Sequence, residues 1–500
     1  MFRWSQREFF QTTYENARSL GMADTRSVRV KTGKIVLLVL AGLFLLFPGQ
    51  ALAADLHLDG TSLTLPWIIP FVCMLLSIAV GPLAFPHFWH HNFGKVAVFW
   101  GLAFLVPCFI AFGFSVTLYE FVHAMLGEYF PFIILLFALF TVAGGICLRG
   151  SLVGTPQVNT VILLIGTVLA SWMGTTGAAM LLIRPLLRAN AHRKYRTHSV
   201  VFFIFLVANI GGSLTPLGDP PLFLGFLAGV PFFWTLTHMF VPMAIVSVIL
   251  LVTYFLLDNY LYAKEGKPRP EGADSGEKLR LEGSVNFILL AAIVGSVLLS
   301  GTWKTDVKFD VYHVTVTLPN LVRDLLLLAI AYVSLKITRK ETRSGNDFNW
   351  DPILEVAKLF LGIFISMIPA LAILRAGTDG ALSGVIEMVT RDGQPVNTMY
   401  FWLTGGLSSF LDNAPTYLVF FNTAGGDAAY LTTTLAPTLT AISMGAVFMG
   451  ANTYIGNAPN FMVRSIAENQ GVPMPSFFGY MAWSVGILIP CFILLTLIYL

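Results

Sequence analysis

Charge is what this sequence has least of. Of its 500 residues, 11% are Asp, Glu, Lys or Arg and 56% are hydrophobic, with a mean hydropathy of +0.75. A soluble domain carries roughly 25% charged residues, so a water-soluble globule is excluded. Cysteine is also sparse. Cys73, Cys108, Cys147 and Cys491 all fall inside apolar runs, without CxxC spacing. That argues against a disulfide framework or metal cluster and for small buried hydrophobes. The net charge is only +3, and no basic patch interleaved with aromatics points to nucleic acid. Nucleophile elbow, P-loop and zinc-ligand spacings are missing as well. The chain is therefore expected to be neither an enzyme nor an ATP-driven pump, and to need no cofactor.

What it has instead is a succession of apolar runs. After residue 60 they cover approximately 66–84, 94–117, 129–148, 157–187, 199–224, 232–258, 284–301, 318–337, 353–376, 399–424, 430–463 and 476–499. Most can cross a hydrocarbon core, which takes about 20 residues. Two are broken at their centres, at Gly174-Thr175-Thr176-Gly177 and at Asp412-Asn413-Ala414-Pro415-Thr416. Both read as re-entrant hairpins. Glu120 and Glu128 are read as flanking a solvated outer loop. Arg149 and Arg375, each ending a helix before a hairpin, are read as interfacial anchors. His87, Trp89, His90 and His91 are read as a solvated loop.

Basic residues set the orientation, because Lys and Arg accumulate on the cytoplasmic side. Arg184, Arg188, Arg193, Lys194 and Arg196 follow the first hairpin; Lys264, Lys267, Arg269, Lys278 and Arg280 lie in a polar linker; Lys336, Arg339, Lys340 and Arg343 form a third group. All three fall inside if the first hairpin enters and leaves on the cytoplasmic face. The expected architecture is an all-α polytopic membrane protein of two inverted-topology repeats, each with about five transmembrane helices and one re-entrant hairpin. The first repeat is 55–258, the linker 259–283 and the second repeat 284–500. Residues 1–54 read as a signal peptide or anchor. Arg26, Arg29, Lys31 and Lys34 precede the apolar run Ile35–Phe47, and the small residues Ala51-Leu52-Ala53 follow.

The two halves match most closely at a second kind of break. NIGGSLTPLGDPPLFL (209–224) and VFMGANTYIGNAPNFM (447–462) align at an offset of 238, pairing Gly212 with Gly450, Thr215 with Thr453, Gly218 with Gly456 and Pro221 with Pro459. The same offset pairs SWMGTTGAAM (171–180) with SFLDNAPTYL (409–418). Broken apolar segments at matching places in two halves mark a transporter's binding site, because irregular backbone at membrane depth must line a cavity or be buried in protein.

Asp219 and Asp412 are the leading candidates within these breaks. A charge at the bilayer centre costs about 2.5–3.5 kcal/mol on insertion scales, so an intramembrane acid calls for a function. The competing reading is a helix cap satisfied by local amides. Beside them, Thr175, Thr176, Asn413, Thr215, Thr453 and Asn457 offer hydroxyl and carboxamide oxygens. Gly218 and Gly456 permit close backbone approach. Oxygen ligands of this kind suit Na⁺ and protons. Neither motif contains a Lys or Arg, so the pair favours a cation and opposes an unaccompanied anion.

GGSLTPLGDPP (211–221) resembles the GG-x-x-T-x-(I/L)-G-D-x-P crossover of the ion transporter superfamily, and SSFLDNAP (408–415) resembles its S-x-x-x-D-N-x-P hairpin. The nearest patterns are D-type sodium/proton antiporters, the melanocyte P protein, arsenite permeases and related citrate carriers. The resemblance implies an inverted-repeat fold and a homodimer with a static scaffold and an elevator-like transport domain. It also implies Na⁺ sites where the Thr175–Thr176 tip meets the Gly218–Asp219 break and the Asp412–Asn413 tip meets the Gly456–Asn457 break. Carboxylate carriers of the superfamily have Ser-Asn-Thr at both tips, whereas this chain has Gly-Thr-Thr and Asp-Asn-Ala-Pro-Thr. The leading expectation is therefore Na⁺/H⁺ exchange across a bacterial-type cytoplasmic membrane. The alternative is Na⁺-coupled transport of citrate or another dicarboxylate. The expected partners are the lipid bilayer and small ions or organic anions.

Overall fold

A computed structural model describes residues 57–150, 152–268 and 279–500. The expected leader or anchor and the centre of the linker lie outside the described residues. The remainder is helical apart from three short antiparallel ribbons. These pair Cys147–Arg149 with Arg280–Glu282, Lys308–Val311 with Val314–Thr317, and Thr390–Arg391 with Gln394–Pro395. Among the described residues, eight helices are long and apolar enough to cross a membrane. The chain is thus an all-α polytopic membrane protein.

The outer helices carry their apolar side chains outward: Ile110 is 76% exposed, Phe478 79% and Leu497 80%. In water such a surface would aggregate; here it is the face that lipid covers. The inner segments are the reverse. Every side chain from Val200 to Ala208 is buried, and a helix apolar all round belongs in the middle of a bundle.

One turn lies elsewhere than expected. The sequence places an outer loop near 120–128, but the chain folds back at Gly113, whose φ of 82° only glycine adopts freely. Thr117 Oγ1 consequently lies 3.4 Å from Cys108 Sγ, where a straight helix would separate the two residues by about 13 Å. Glu120 is therefore not a solvated loop residue. It sits in the helix, buried, and its Oε1 accepts the Leu58 amide at 2.8 Å. The His87–His91 stretch is likewise helical, at the start of Pro86–His123, rather than a loop: His87, His90 and His91 are exposed, but Trp89 is buried. Arg149 and Arg375 also have specific partners: Arg149 Nε pairs with Glu282 at 3.1 Å and Arg375 Nε donates to Asn422 Oδ1 at 2.7 Å.

Both broken runs form hairpins. In the first, Pro156–Met173 and Thr175–Ala189 meet at Gly174, whose φ of 81° reverses the chain. Thr155 caps the outgoing arm, accepting from the Val158 amide, and Pro156 begins it where no amide hydrogen is needed. The two ends return to one place, since the Gly154 amide donates to the Ala189 carbonyl at 2.8 Å. In the second, Asn397–Phe410 and Asn413–Thr423 are joined by extended Leu411 and Asp412. Tyr400 near the start of one arm meets Phe420 near the end of the other, 6.3 Å between ring centres.

Candidate functional site

The two sequence-matched breaks have the same local construction. After Thr197–Leu206 the chain leaves the helix, makes one 3-10 turn at Ile210–Ser213 and resumes as the half-helix Pro220–Leu227. After Ala436–Met449 it makes a 3-10 turn at Gly450–Asn452 and resumes as Ala458–Asn469. Each break is tied to its hairpin by one Thr and one Ser. Thr215 Oγ1 donates to the Ser171 carbonyl and Ser171 Oγ to the Gly211 carbonyl. At the 238-residue offset, Thr453 Oγ1 donates to the Ser409 carbonyl and Ser409 Oγ to the Met449 carbonyl. Thr215 and Thr453 also accept the Leu217 and Ile455 amides. Their hydroxyls hold the irregular backbone in place, which satisfies groups that lipid would leave unpaired.

Glycine is required where each break closes on itself. A Cβ at Gly218 would lie 2.1 Å from the Gly212 carbonyl oxygen, and one at Gly456 would lie 2.5 Å from that of Gly450. The close approach lets the Gly218 carbonyl accept the Thr175 amide at 2.9 Å, docking the tip of the first hairpin on the first break.

At this meeting point stands Asp219, 1% exposed. Its carboxylate accepts from Thr175 Oγ1 at 3.1 Å, Asn457 Nδ2 at 3.0 Å and Asn413 Nδ2 at 2.5 Å. These donors come from the first hairpin tip, the second break and the second hairpin tip. Asp219 is the N-cap residue of its half-helix, yet its side chain forms no cap bond. The cause is local: Pro221 has no amide hydrogen to give, and the Leu222 amide donates to the backbone carbonyl of Asp219, at 3.1 Å, instead of to its side chain. Capping therefore does not consume this carboxylate. Asp412 differs. It precedes Asn413 and Ala414, and its Oδ1 accepts the Ala414 amide at 3.0 Å as an ordinary helix cap. It is half-buried, and its charge lies one residue back from the Asn413–Asp219 contact. Thr176 is half-buried also.

Behind Asp219 the polar chain continues into residues outside the sequence-predicted set. Asn457 Nδ2 also reaches Asn209 Oδ1 at 3.3 Å. Asn209 Nδ2 donates to Asn460 Oδ1 at 2.7 Å, and Asn460 Nδ2 to the Gly450 and Thr453 carbonyls at 2.8 and 2.9 Å. Asn209 and Asn460 do not match each other at the 238-residue offset, so the repeat comparison does not find them. Their one signal is polarity within an apolar break. Asn413 Oδ1 is a buried acceptor without a partner among the described residues. A carboxylate, an unpaired carboxamide oxygen and a threonine hydroxyl converge here, and among the described residues neither Lys nor Arg hydrogen-bonds to Asp219. The chemistry of this donor set fits a small hard cation or a proton.

The acids used structurally lie elsewhere. At the base of the first hairpin, Arg193 joins Asp258 (Nη1 to Oδ1, 2.7 Å) and Glu265 (Nε to Oε1, 2.6 Å), all three buried side chains. His198 Nε2, Asn159 Nδ2 and the Tyr254 hydroxyl complete the ring around Asp258 at 2.8, 3.0 and 3.1 Å. The sequence suggests a loop charge at Arg193 and a linker from residue 259. The structure instead makes Arg193 a buried clamp and extends the helix Trp234–Lys264 through the start of that linker.

Residues 60–500 match the family model described as "Putative citrate transport". Two mycobacterial proteins, uncharacterized transporters of Mycobacterium tuberculosis and Mycobacterium bovis, are each 26% identical to the chain over 330 residues. That covers 64% of the chain and 72% of each relative.

Proposed function

The chain belongs to that citrate-transport family, and from this premise we propose that it is a secondary transporter of the cytoplasmic membrane carrying a citrate-class carboxylate together with a small cation, Na⁺ first among the candidates. The observation that carries the reading is Asp219: a buried carboxylate ringed by Thr175, Asn413 and Asn457, with no basic side chain bonded to it among the described residues. A polycarboxylate entering beside Asp219 meets a like charge in a low-dielectric setting. A cation held by Asp219 and Asn413 Oδ1 removes that repulsion and couples the two fluxes. Gly218 and Gly456 shape the two breaks, and Thr215 and Thr453 brace them. Asp412 caps the half-helix behind the second tip, and its charge is not needed to hold the cation. The repeated Ser–Thr ties are what two inverted repeats would share, and we read the halves that way, with pairing into a homodimer as in the superfamily.

A second reading is Na⁺/H⁺ exchange without a carboxylate. It is favoured by the tips, Gly-Thr-Thr and Asp-Asn-Ala-Pro-Thr, which lack the Ser-Asn-Thr of carboxylate carriers. One proteoliposome experiment separates the two. Labelled citrate uptake that needs an inward Na⁺ gradient, and that Asp219→Asn abolishes, is the result expected. Na⁺-driven proton movement without citrate, in liposomes that take up no citrate, would replace this reading with the second.

A further inference from the structure

A second polar feature lies at the far end of the half-helix that begins at Asp219. Phe226 and Leu227, at its C-terminal end, line a cavity of about 440 Å³, together with residues of the helices Val285–Thr302 and Leu318–Ile337 and of the ribbon Lys308–Thr317. The helix Leu318–Ile337 starts at this cavity and ends in the Lys336–Arg343 basic group. The cavity is therefore at the extracytoplasmic end by the distribution of basic residues. Its walls are mostly apolar, with a charged pair, Arg323 and Asp324, set into them.

Arg323 is only 1% exposed. Its Nε donates to Asp324 Oδ1 at 2.8 Å and its Nη1 to Asn320 Oδ1 at 3.3 Å. Nη2 has no acceptor among the described residues. A buried guanidinium nitrogen left dry is costly, and native proteins supply such groups with a partner, whether side chain, water or ion. The planar Nη edge matches the two oxygens of a carboxylate or phosphate, and Asp324 occupies only the Nε side.

We propose that this cavity is an oxyanion-binding site, distinct from the Asp219 cluster, in which the Nη edge of Arg323 holds a carboxylate or phosphate group. Two sources share this chemistry: a carboxylate of the transported anion on its way to the break, and the phosphate of an anionic lipid headgroup whose chains lie along the apolar walls. The first source rests on the citrate reading above; the second does not.

The test uses the full chain in nanodiscs, as wild type, Arg323→Gln, Arg323→Lys and Gly301→Leu. The last narrows the cavity without altering Arg323, since a Cβ at Gly301 would already lie 3.2 Å from the Phe226 ring. It so covers the case in which Arg323→Gln does not fold. In phosphatidylcholine discs, citrate binding is measured by calorimetry, in the wild-type and Asp219→Asn backgrounds. In discs doped with phosphatidylglycerol, retained lipid is counted by native mass spectrometry. The expected result is a loss of at least about tenfold in one arm for Arg323→Gln and Gly301→Leu, and a smaller loss for Arg323→Lys, which keeps the charge but not the fork. The arm that responds names the source. Equal citrate affinity and equal lipid retention in wild type and all three variants would overturn the site and leave the transport reading standing. Arg323-dependent lipid retention in a protein that carries no citrate would do the opposite.

Discussion

Asn413 and Asp219 are 194 residues apart in the chain and 2.5 Å apart in space, amide nitrogen to carboxylate oxygen. One stands at the tip of the second hairpin and the other at the break of the first half. The contact makes the site a property of both halves together, and any movement of one hairpin relative to the other half must open or remake it. It also orients Asn413 so that its other atom, Oδ1, is left buried and, among the described residues, unpaired.

Asn413→Ala should therefore weaken cation binding more than it weakens the fold. The variant loses a charge-assisted hydrogen bond, worth about 1.5–3 kcal/mol, together with the unpaired oxygen. The half-saturating cation concentration for substrate uptake should rise by roughly an order of magnitude or more, while the protein still purifies with a normal thermal transition. Uptake titrated against Na⁺ checks this. An unchanged half-saturation point would remove Asn413 from the site.

Asp412 offers a cleaner separation of charge from capping. Asn is as good an N-cap as Asp, whereas Ala costs about 1 kcal/mol. Since the Asp412 carboxylate is engaged with the Ala414 amide, Asp412→Asn should keep uptake within about threefold of wild type, and Asp412→Ala should lower the melting temperature. Loss of transport in Asp412→Asn with stability intact would instead show that the charge itself is used.

Gly218→Ala and Gly456→Ala test the two closures. Each new methyl meets a backbone carbonyl, at 2.1 and 2.5 Å, and a carbonyl in a packed break cannot swing aside as a flexible side chain would. Overpacking of this kind costs about 1–3 kcal/mol. Both variants should show lowered thermal stability and little uptake. Gly218→Ala should be the worse, because the carbonyl it displaces from Gly212 neighbours the Thr175 tip. Thermal unfolding in detergent gives the order.

Most of this arrangement is legible in the sequence because it depends on short-range chemistry. Gly, Pro and Asp inside apolar runs announce breaks in helices, and the recurrence at a fixed offset announces that Thr215 and Thr453 do the same job. Pro221 even removes one of the two amides that could cap onto the Asp219 side chain. The hidden parts depend on long-range packing. Nothing near Asn209 or Asn460 in sequence says that they face each other, or that Glu120 turns inward toward Leu58. Arg193 sits among loop-like neighbours, and only the folded chain brings Asp258 and Glu265 to it.

At the Arg193 cluster three charged side chains are buried together, one cation against two acids, with His198, Asn159 and Tyr254 donating to Asp258. Removing the cation leaves two carboxylates uncompensated, and breaking a buried pair in this way costs about 3–5 kcal/mol. Removing the Asp258 charge instead leaves Arg193 balanced by Glu265. Arg193→Met should thus be much more damaging than Asp258→Asn, and the double variant should be less damaged than the sum of the two, because it removes both members of one pair. The cluster also fixes the base of the first hairpin, since Asn159 and Asn190 bond each other there and Arg193 reaches the Gly154 carbonyl. In hydrogen exchange, Arg193→Met should accordingly lose protection over residues 186–193 before it does so around Asp219. Uniform loss of protection across the chain would mean that the cluster supports the fold as a whole and not this hairpin in particular.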